Sequence, residues 1–227
     1  MFDANKIETD LDNEGYSVVA NLIRNDDCDS IKNGYVNEAQ FRNRVVMAQH
    51  NFGLGEYKYF NYPLPDAIAH LRTTCYEALY PIANRWNAAM KLEGDYPSRH
   101  CEYLDRCRRA GQAKATPLIL KYGKDDYNCL HQDLYGDHVF PIQLAVLLSN
   151  PGEDFEGGEL ILTEQRPRRQ SRPIVVPLGK GDGVIFPVRY RPKRGTRSTY
   201  RVNTRHGVSR LIRGDRYVLG VIFHDAT

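Results

Sequence analysis

The sequence predicts an all-β core with flanking helices, an α+β fold in which a jelly roll follows an N-terminal helical layer. Three observations support this prediction. Residues 1–112 show mainly helical periodicity, residues 113–227 contain short apolar segments between Gly, Pro, Asp and Asn clusters, and no helix-length segment separates those apolar segments. The chain has 227 residues, which fits one domain with a helical support region and a β core.

Bulk composition limits the class of protein. Hydrophobic residues make up 41% of the chain, enough for a substantial core. The chain contains no run of about 18 apolar residues, so no membrane span is predicted. The first residues lack the basic head and apolar middle of a signal peptide, and the five cysteines are odd in number and irregularly spaced. We therefore expect a cytoplasmic protein with reduced thiols and no membrane partner.

The residue pattern of the N-terminal region predicts one strand and three helices. Residues 15–19 have an extended pattern, and residues 25–31 have a helical pattern that begins at an N-capping cluster of Asn and Asp. A long helix starts at Asp66, and a shorter helix within 98–111 ends near a glycine. Apolar side chains of the long helix recur at spacings of three and four: Ile68, Leu71, Cys75, Leu79, Ile82, Trp86 and Met90.

Eight short strands are predicted after Thr116, because Val, Ile, Leu, Tyr and Phe concentrate in segments bounded by turn residues. Eight such strands beside a helical section are typical of a two-sheet jelly roll. The stretches 166–173 and 189–200 are interpreted as long basic loops. The predicted strands are 116–122, 127–133, 141–149, 158–163, 173–178, 183–188, 200–209 and 216–223.

Two histidines and an aspartate form the clearest chemical pattern, in the order His131-x-Asp133 and, 73 residues later, His206. Alternate side chains of a strand share a face, so His131 and Asp133 can point into one cavity. His206 lies on a later strand that sheet closure can bring opposite them. Two imidazoles and one carboxylate can hold a ferrous ion on one face and leave positions open for oxygen chemistry. We therefore predict that these three residues form a catalytic metal site.

Other histidines and cysteines are weaker candidates for metal ligands. His138 competes with His206 as third ligand, but it follows a turn and is poorly placed across a barrel. A zinc site at His100, Cys101 and Cys107 is disfavoured because no CxxC spacing occurs there. A surface or core role is predicted for the remaining histidines, which are His50, His70, His100 and His224.

Arg216 is a candidate carboxylate anchor, ten residues after His206. A guanidinium group can hold a carboxylate through two parallel hydrogen bonds. The strands that flank the turn at 212–215 should pair, which predicts that Arg216 lies on a neighbour of the His206 strand. Tyr122, near the end of the first predicted strand, can add a hydroxyl group to the same carboxylate. The alternatives are a surface arginine beside a hairpin and an ordinary core tyrosine.

Charge is distributed unevenly along the chain. Residues 166–216 contain thirteen Arg, two Lys and two acidic residues, a net charge of +13, so the rest of the chain carries −10 against the total of +3. A segment this basic can concentrate a polyanion near a site. The alternatives are a solvated arginine-rich loop, or pairing with the acidic N-terminal half.

Short motifs between residues 116 and 225 occur in an order that resembles a known superfamily. They are Tyr122-Gly123, His131-Gln132-Asp133, Gly157-Gly158-Glu159-Leu160, Gly181-Asp182-Gly183-Val184-Ile185-Phe186-Pro187, His206-Gly207-Val208 and Gly214-Asp215-Arg216-Tyr217. Together they resemble the 2-oxoglutarate- and Fe(II)-dependent dioxygenases, in the prolyl-hydroxylase-like and AlkB-like branch. A closer resemblance is to bacterial proteins predicted to be nucleic-acid oxygenases, through the stretches 130–136, 163–168, 205–209 and 223–226.

The resemblance implies a double-stranded β-helix with Fe(II) on His131, Asp133 and His206. It implies 2-oxoglutarate as co-substrate, with the distal carboxylate on Arg216, the keto acid end on the iron, and O2 at the remaining position. It also implies hydroxylation or oxidative demethylation of a substrate, with release of succinate and CO2. One departure is the last strand, 217–223, which lacks the further arginine of AlkB-type enzymes; the spacing of Arg216 is more like that of prolyl hydroxylases.

Three functions follow from these patterns. The first acts on alkylated nucleic acid, as a single strand or a flipped base, with Tyr135, Tyr190 or Tyr200 stacking on a base. The second hydroxylates a prolyl or other side chain of a protein, which the single anchor arginine favours. The third is a cupin-like metal-binding protein without turnover. For the first, the candidate phosphate contacts are Arg166, Arg168, Arg169, Arg172, Arg191, Lys193, Arg194 and Arg197.

Overall fold

Four helices form the N-terminal layer in this computed structural model, which describes residues 3–196 and 198–227. Asp3 begins the first helix by accepting hydrogen bonds from the backbone N–H groups of Asn5 and Lys6. Three of the four helices match the predicted segments, and in the described residues no helix is long and apolar enough to cross a membrane. The helices are α1 (Ala4–Asn13), α2 (Asn25–Asn33), α3 (Asp66–Met90) and α4 (His100–Arg109).

The N-terminal region also supplies four strands, of which only the first was predicted. They are β1 (Ser17–Val19), β2 (Phe41–Val46), β3 (Gly53–Leu54) and β4 (Glu56–Phe60). β2 begins Phe-Arg-Asn-Arg, without apolar alternation, and β3 has two residues, so neither carries a strand signal. β4 alternates charged and aromatic side chains, which is a strand signal that the sequence analysis missed.

All eight predicted C-terminal strands are present, and three further strands lie between them. The predicted strands are β5 (Leu118–Tyr122), β6 (Tyr127–His131), β7 (Ile142–Leu147), β9 (Leu160–Gln165), β10 (Arg172–Val176), β11 (Gly183–Pro187), β13 (Thr199–Val208) and β15 (Arg216–Val221). The additional strands are β8 (Phe155–Gly157), β12 (Tyr190–Arg194) and β14 (Leu211–Gly214). β12 lies within 189–200, so the prediction of a basic loop there was wrong.

Two antiparallel sheets face each other, which confirms the predicted jelly roll. The larger sheet has the strand order β1-β11-β7-β15-β5-β4-β2. The smaller sheet has the order β10-β9-β13-β6-β3, and β12 pairs with the first half of β13. Most neighbours in these orders are not consecutive in the chain, so the chain crosses repeatedly between the sheets.

The apolar core has one layer outside the larger sheet and another between the sheets. Outside, helix residues such as Tyr76, Leu79 and Trp86 pack with Leu144 and Leu219 of the larger sheet. Between the sheets lie smaller clusters from both sheets, whose members include Tyr122, Leu147, Leu162, Val184, Phe186, Val208 and Val218. The helices therefore support one sheet from behind and leave the space between the sheets for a site.

The last strand belongs to the larger sheet, which corrects the predicted position of Arg216. β14 pairs with β8, while β15 pairs with β5 and β7, so the strands around the 212–215 turn do not pair with each other. The chain changes sheets at Gly214, where a φ of 80° and contact with the Asp154 carbonyl exclude a side chain. Arg216 consequently lies in register with Tyr122, on the sheet opposite His206.

Candidate active site

His131, Asp133 and His206 converge at one point of the smaller sheet. The pairing of β6 with β13 sets His131 directly opposite His206, and Asp133 lies just beyond the end of β6. Asp133 Oδ2 is 3.2 Å from His206 Nε2, and Asp133 Oδ1 is 3.6 Å from His131 Nε2. Within residues 3–196 and 198–227, no other group of three His, Cys, Asp or Glu side chains brings its ligand atoms within 4.8 Å of one another.

Neighbouring groups orient the three side chains. His131 Nδ1 lies 2.8 Å from the Cys129 carbonyl oxygen, so a proton on Nδ1 leaves the Nε2 lone pair directed at the centre of the site. The Tyr135 hydroxyl group donates to Asp133 Oδ1 at 2.7 Å. Gln143 of β7, on the opposite sheet, places its amide nitrogen 3.5 Å from His206 Nδ1. Such outer contacts are typical of metal sites, where they fix the direction of each ligand.

The protonation states suit a cation. Burial alone raises the pKa of Asp133, but His206, His131 and Tyr135 outweigh burial and hold that pKa well below its ordinary value. Burial and the neighbouring His206 lower the pKa of His131. An ionised carboxylate beside a neutral imidazole is the form in which these side chains bind metals.

A cavity of about 410 Å³ between the sheets joins these residues to Arg216. His131, Asp133 and His206 lie on the side of the smaller sheet, and Arg216 lies on the larger sheet. Most of the wall between them is apolar, with contributions from Leu118, Leu120, Ala145, Leu147, Leu160, Leu178, Phe186, Val208, Val218 and Ile222. An apolar chamber with a few convergent polar groups is typical of small-molecule sites.

Arg216 is buried without a partner. The residue is 3% exposed, and its Nε and Nη1 have no hydrogen-bond partner within the described chain. Burial lowers its pKa to about 10, so it remains a cation at neutral pH. Gly158 leaves room for this side chain, because a Cβ atom there would lie 3.0 Å from Arg216 Cδ. A buried, unpaired cation is costly, so this geometry fits an anionic ligand.

Tyr122 lies beside Arg216 and is fully buried. Its hydroxyl group accepts a hydrogen bond from the Asn128 side-chain amide at 3.2 Å, which leaves its own proton available to an acceptor in the cavity. Burial raises the pKa of Tyr122 to about 12, so the hydroxyl group keeps that proton. Arg216 and Tyr122 therefore lie together on the larger sheet and not beside the His206 strand, and their shared role as a carboxylate anchor stays a prediction.

The predicted phosphate contacts divide into buried and exposed side chains. Arg191 is 0% exposed and forms an ion pair with the buried Glu164, so the prediction that it contacts phosphate was wrong. Arg166 and Arg172 lie 3.9 and 3.7 Å from the same Glu164 carboxylate. The half-buried Lys193 donates to the Asn13 carbonyl at 3.1 Å.

The remaining basic candidates are exposed but lie away from the cavity. Arg168, Arg169 and Arg194 are exposed, and Arg197 falls outside the described residues. No described residue of this basic set lines the cavity. They can therefore contact only parts of a substrate that lie outside the chamber.

Of the three tyrosines predicted to stack on a base, only Tyr135 lines the cavity. Tyr135 is half-buried and bonded to Asp133, and Tyr190 packs against the helical core. Tyr200 is half-buried and does not line the cavity. The i,i+2 spacing of Tyr135 and Asp133 was a signal for their contact. No sequence signal was available for Gln143, which reaches His206 from the other sheet.

The competing metal ligands do not assemble. His138 is outside the three-residue cluster. His100 is buried, with Nε2 2.8 Å from the Phe223 carbonyl oxygen, while Cys101 is exposed. The disfavoured zinc site is therefore absent from the described residues.

Similarity to known proteins was found at the level of family, relative and fold. A family model described as "Oxygenase, catalysing oxidative methylation of damaged DNA" matches residues 55–226. A Mycobacterium tuberculosis (strain H37Rv) protein named as uncharacterized is 46% identical over 167 residues, which covers 74% of this chain and 72% of that protein.

Solved structures share the fold at low identity. A prolyl-4-hydroxylase of Pseudomonas putida aligns with a TM-score of 0.59 and 13% identity, over 96% of both chains. An oxidoreductase of the 2OG-Fe(II) oxygenase family from Burkholderia pseudomallei aligns with a TM-score of 0.56 and 12% identity, over 100% of this chain and 93% of the other.

Proposed function

We propose that this chain, which belongs to the Oxygenase-NA family of oxygenases, is an Fe(II)- and 2-oxoglutarate-dependent dioxygenase. Its proposed reaction hydroxylates or demethylates alkylated nucleic acid and releases succinate and CO2. Family and fold confirm the expected dioxygenase superfamily, whose cofactors are Fe(II), 2-oxoglutarate and O2. One observation carries the residue roles: a single cavity joins the His131, Asp133 and His206 cluster to the unpaired Arg216.

The metal fits the three clustered side chains. They offer two imidazole nitrogens and one carboxylate oxygen, with no thiolate among them, which is the donor set of ferrous oxygenases. Tyr135 holds one carboxylate oxygen of Asp133, and the Cys129 carbonyl orients His131. Bound there, Fe(II) supplies the redox chemistry with O2.

2-Oxoglutarate fits the other end of the cavity. Its distal carboxylate would pair with Arg216, whose Nε and Nη1 lack partners, and would accept from the Tyr122 hydroxyl group. The apolar wall between Arg216 and the cluster, which includes Leu147 and Val218, excludes water from this end. Arg216 and Tyr122 thus bind and orient the co-substrate while the cluster holds the metal.

A nucleic-acid substrate is supported by the family and by unpaired surface charge. The matching family concerns damaged DNA, and the basic segment contains two acidic residues before Arg216, Asp182 and Asp215. The buried Arg191 is neutralised by Glu164 and takes no part. Within the described part of this basic segment, the exposed arginines without an ion pair are Arg168, Arg169, Arg189, Arg194, Arg201 and Arg205.

Anaerobic spectroscopy tests the metal and co-substrate roles. Fe(II) and 2-oxoglutarate added to the wild type should give the visible charge-transfer band of a chelated keto acid, and His131→Ala should not. His138→Ala is the matched control, because His138 lies outside the cluster and should leave the band unchanged. A band that survives in His131→Ala but is lost in His138→Ala would reverse the ligand assignment.

Salt dependence tests the substrate class. Binding of a methylated single-stranded oligonucleotide should weaken steeply between 50 and 200 mM salt, as phosphate contacts require (about 0.9 of logarithmic slope per neutralised phosphate in duplex, about 0.7 in single strands). Arg168→Gln with Arg169→Gln should flatten that slope by roughly one to two. The same double change at Arg108 and Arg109 of α4, behind the larger sheet, should not. A flat salt dependence in the wild type would count against nucleic acid.

The second candidate is a protein hydroxylase. The observation that favours it is the position of Arg216 at the start of β15, whose remaining residues include no second arginine. A mass increase of about 16 Da on a peptide from treated lysate, dependent on Fe(II) and 2-oxoglutarate, would identify that activity. Succinate release with either substrate would eliminate a metal-binding protein without turnover.

A further inference from the structure

We propose that His50 and Phe52 form a stacking platform for the nucleobase next to the one that enters the cavity. The inference rests on the proposed function, because it takes single-stranded nucleic acid as the substrate. It adds a second base subsite, outside the metal chamber, that sets which substrates bind.

Exposed apolar side chains concentrate at the mouth of the cavity. Ten large hydrophobic side chains are exposed in the described chain, and half of them lie on β3, on β6, just before β3 or just after β6. Two of these, Phe52 at 47% and Leu130 at 45%, also line the cavity and therefore mark its lip. The others are Leu54, Tyr127 and Leu134. A grouped apolar patch at a cavity mouth indicates a binding surface, whereas scattered exposed residues do not.

His50 and Phe52 present a preformed aromatic face at this lip. Both are exposed, and their rings stack with centroids 5.3 Å apart and planes 23° apart. Asn51 between them has a φ of 58°, the left-handed conformation that turns the chain at this point. The backbone N–H of Phe52 donates to the carbonyl of the fully buried Met47, which ties the turn to the core. The platform is therefore fixed before any ligand arrives.

The platform lies close to the proposed metal residues. The backbone N–H of Cys129, two residues before His131, donates to the Phe52 carbonyl at 2.9 Å. β3 neighbours β6, and β6 neighbours β13. Gly53 is in register with Asn128, and Asn128 with Val208, so the exposed Arg205 lies two strands across and three residues along from Gly53, roughly 14 Å away. A cation at that separation can pair with a phosphate of the strand whose base stacks on Phe52.

A nucleobase suits this surface better than a peptide does. Stacking on an aromatic face tolerates any base and needs no backbone partners. A peptide strand bound to the sheet edge would need a row of free backbone groups, whereas β3 is two residues long. Asn51, which also lines the cavity, places an amide group where a base edge can bond. Gln132 lines the cavity too; its amide nitrogen donates to Asn203 and Thr204, so its amide oxygen is the group that a base edge can use.

Abasic oligonucleotides test the platform directly. Two single strands are compared, each with one methylated base. In one strand the neighbouring nucleotide carries a normal base, and in the other strand that nucleotide is abasic. The comparison is made separately for the neighbour on each side of the methylated base. On one side, the wild type should bind the abasic strand roughly tenfold more weakly. Phe52→Ala should bind both strands alike, at the affinity of the wild type for the abasic strand. Ile212→Ala is the control, because Ile212 is 57% exposed but does not line the cavity.

The outcomes separate the platform from the proposed function. If the wild type binds and oxidises the strand but the abasic penalty is absent, or persists in Phe52→Ala, the platform is wrong and the nucleic-acid function stands. If the wild type binds neither strand, the nucleic-acid function fails and the platform fails with it. A peptide that competes with the strand only when Phe52 is intact would reassign the surface to protein.

Fluorescence gives a readout that is independent of activity. Trp86 is the only tryptophan and is 0% exposed, so Phe52→Trp adds a single exposed reporter. Its emission should be quenched by the strand with the stacking base and not by its abasic counterpart. Ile212→Trp should show no difference between the two strands, and equal quenching of Phe52→Trp by both would overturn the proposal.

Discussion

Arg216 shows how one side chain can define what a cavity accepts. It is buried, charged and without a partner in the described chain, so the ligand has to supply the missing anion. Its spacing after His206 is what made Arg216 a candidate carboxylate anchor in the sequence. Its burial and its position opposite the metal residues follow from a sheet change at Gly214, which no local pattern announced.

Replacement of Arg216 should separate co-substrate binding from metal binding. Arg216→Met removes a charge-assisted pair, so the 2-oxoglutarate concentration for half-maximal turnover should rise at least about 30-fold, which corresponds to roughly 2 kcal/mol or more. Metal affinity, measured by titration without 2-oxoglutarate, should stay near the wild-type value. Arg213→Met is the control, since Arg213 is exposed and pairs with Glu156. Equal loss of both affinities in Arg216→Met would contradict the role.

Tyr135 should act on the metal through Asp133 and not on a base. Tyr135→Phe removes the hydrogen bond to Asp133 Oδ1, and loss of such a contact typically weakens metal binding by about 10- to 100-fold. Tyr57→Phe is the matched control, because Tyr57 lines the same cavity and does not donate the hydrogen bond that Asp133 Oδ1 accepts. Direct metal titration of both variants checks this, and an unchanged affinity in Tyr135→Phe would refute it.

At the scale of elements, apolar alternation predicted strands well and failed where charged residues are buried. β12 reads Tyr-Arg-Pro-Lys-Arg, which resembles a loop, yet it pairs with β13 and buries Arg191 and Pro192. Arg191 is accommodated because Gly15 has no side chain: a Cβ atom there would lie 2.8 Å from Arg191 Nε. That contact joins residues far apart in the chain, so composition alone could not show which arginine is internal.

The buried pair of Arg191 and Glu164 should be a strong local contributor to stability. Arg191→Met leaves the buried Glu164 carboxylate with only the more distant Arg166 and Arg172, which should lower the free energy of unfolding by up to roughly 3–5 kcal/mol. The exposed Arg194→Met on the same strand should change it by less than about 0.5 kcal/mol. Urea denaturation gives both values. Adding Glu164→Gln to Arg191→Met should recover part of the loss, and similar effects of the two single changes would exclude an internal role.

At the scale of the whole molecule, the sequence predicted the helical layer and the two-sheet core but not the strands that the N-terminal region adds to both sheets. The helical periodicity of α3 and the eight alternating segments were enough for a jelly roll with a helical cover. Residues 1–112 were predicted to be a support region alone, whereas β2, β3 and β4 extend both sheets. β2 is polar and β3 is short, and pairing with β4 and β6 is what makes them strands, whereas β4 has an alternating pattern of its own.

Two internal histidines should make the folded state sensitive to mild acid. Burial lowers the pKa of His100 and of His224 to about 3, against an ordinary value near 6.5. Between these values the unfolded chain binds more protons, so stability is full above about pH 6.5 and falls as the pH drops, by about 1.4 kcal/mol per pH unit for each histidine. Denaturation of the wild type from pH 7 to 5 measures this slope.

Substitution of one buried histidine should reduce that slope. His100→Gln keeps a donor for the Phe223 carbonyl and removes the titration, so the slope should fall by about 1.4 kcal/mol per pH unit. His70→Gln, at an exposed position of α3, should leave the slope as it is. Identical slopes in the wild type and His100→Gln would rule out this origin of acid sensitivity.

The placement of Arg216 and His206 on opposite sheets has a mechanical consequence. A small dicarboxylate bound by Arg216 at one end and by the metal at the other would link the two sheets, which otherwise meet mainly through apolar side chains. Its binding energy would then oppose separation of the layers, so amide hydrogen exchange in β5 and β13 should slow together when it is present. Ligand binding in this one cavity would therefore reduce the motion of both sheets together.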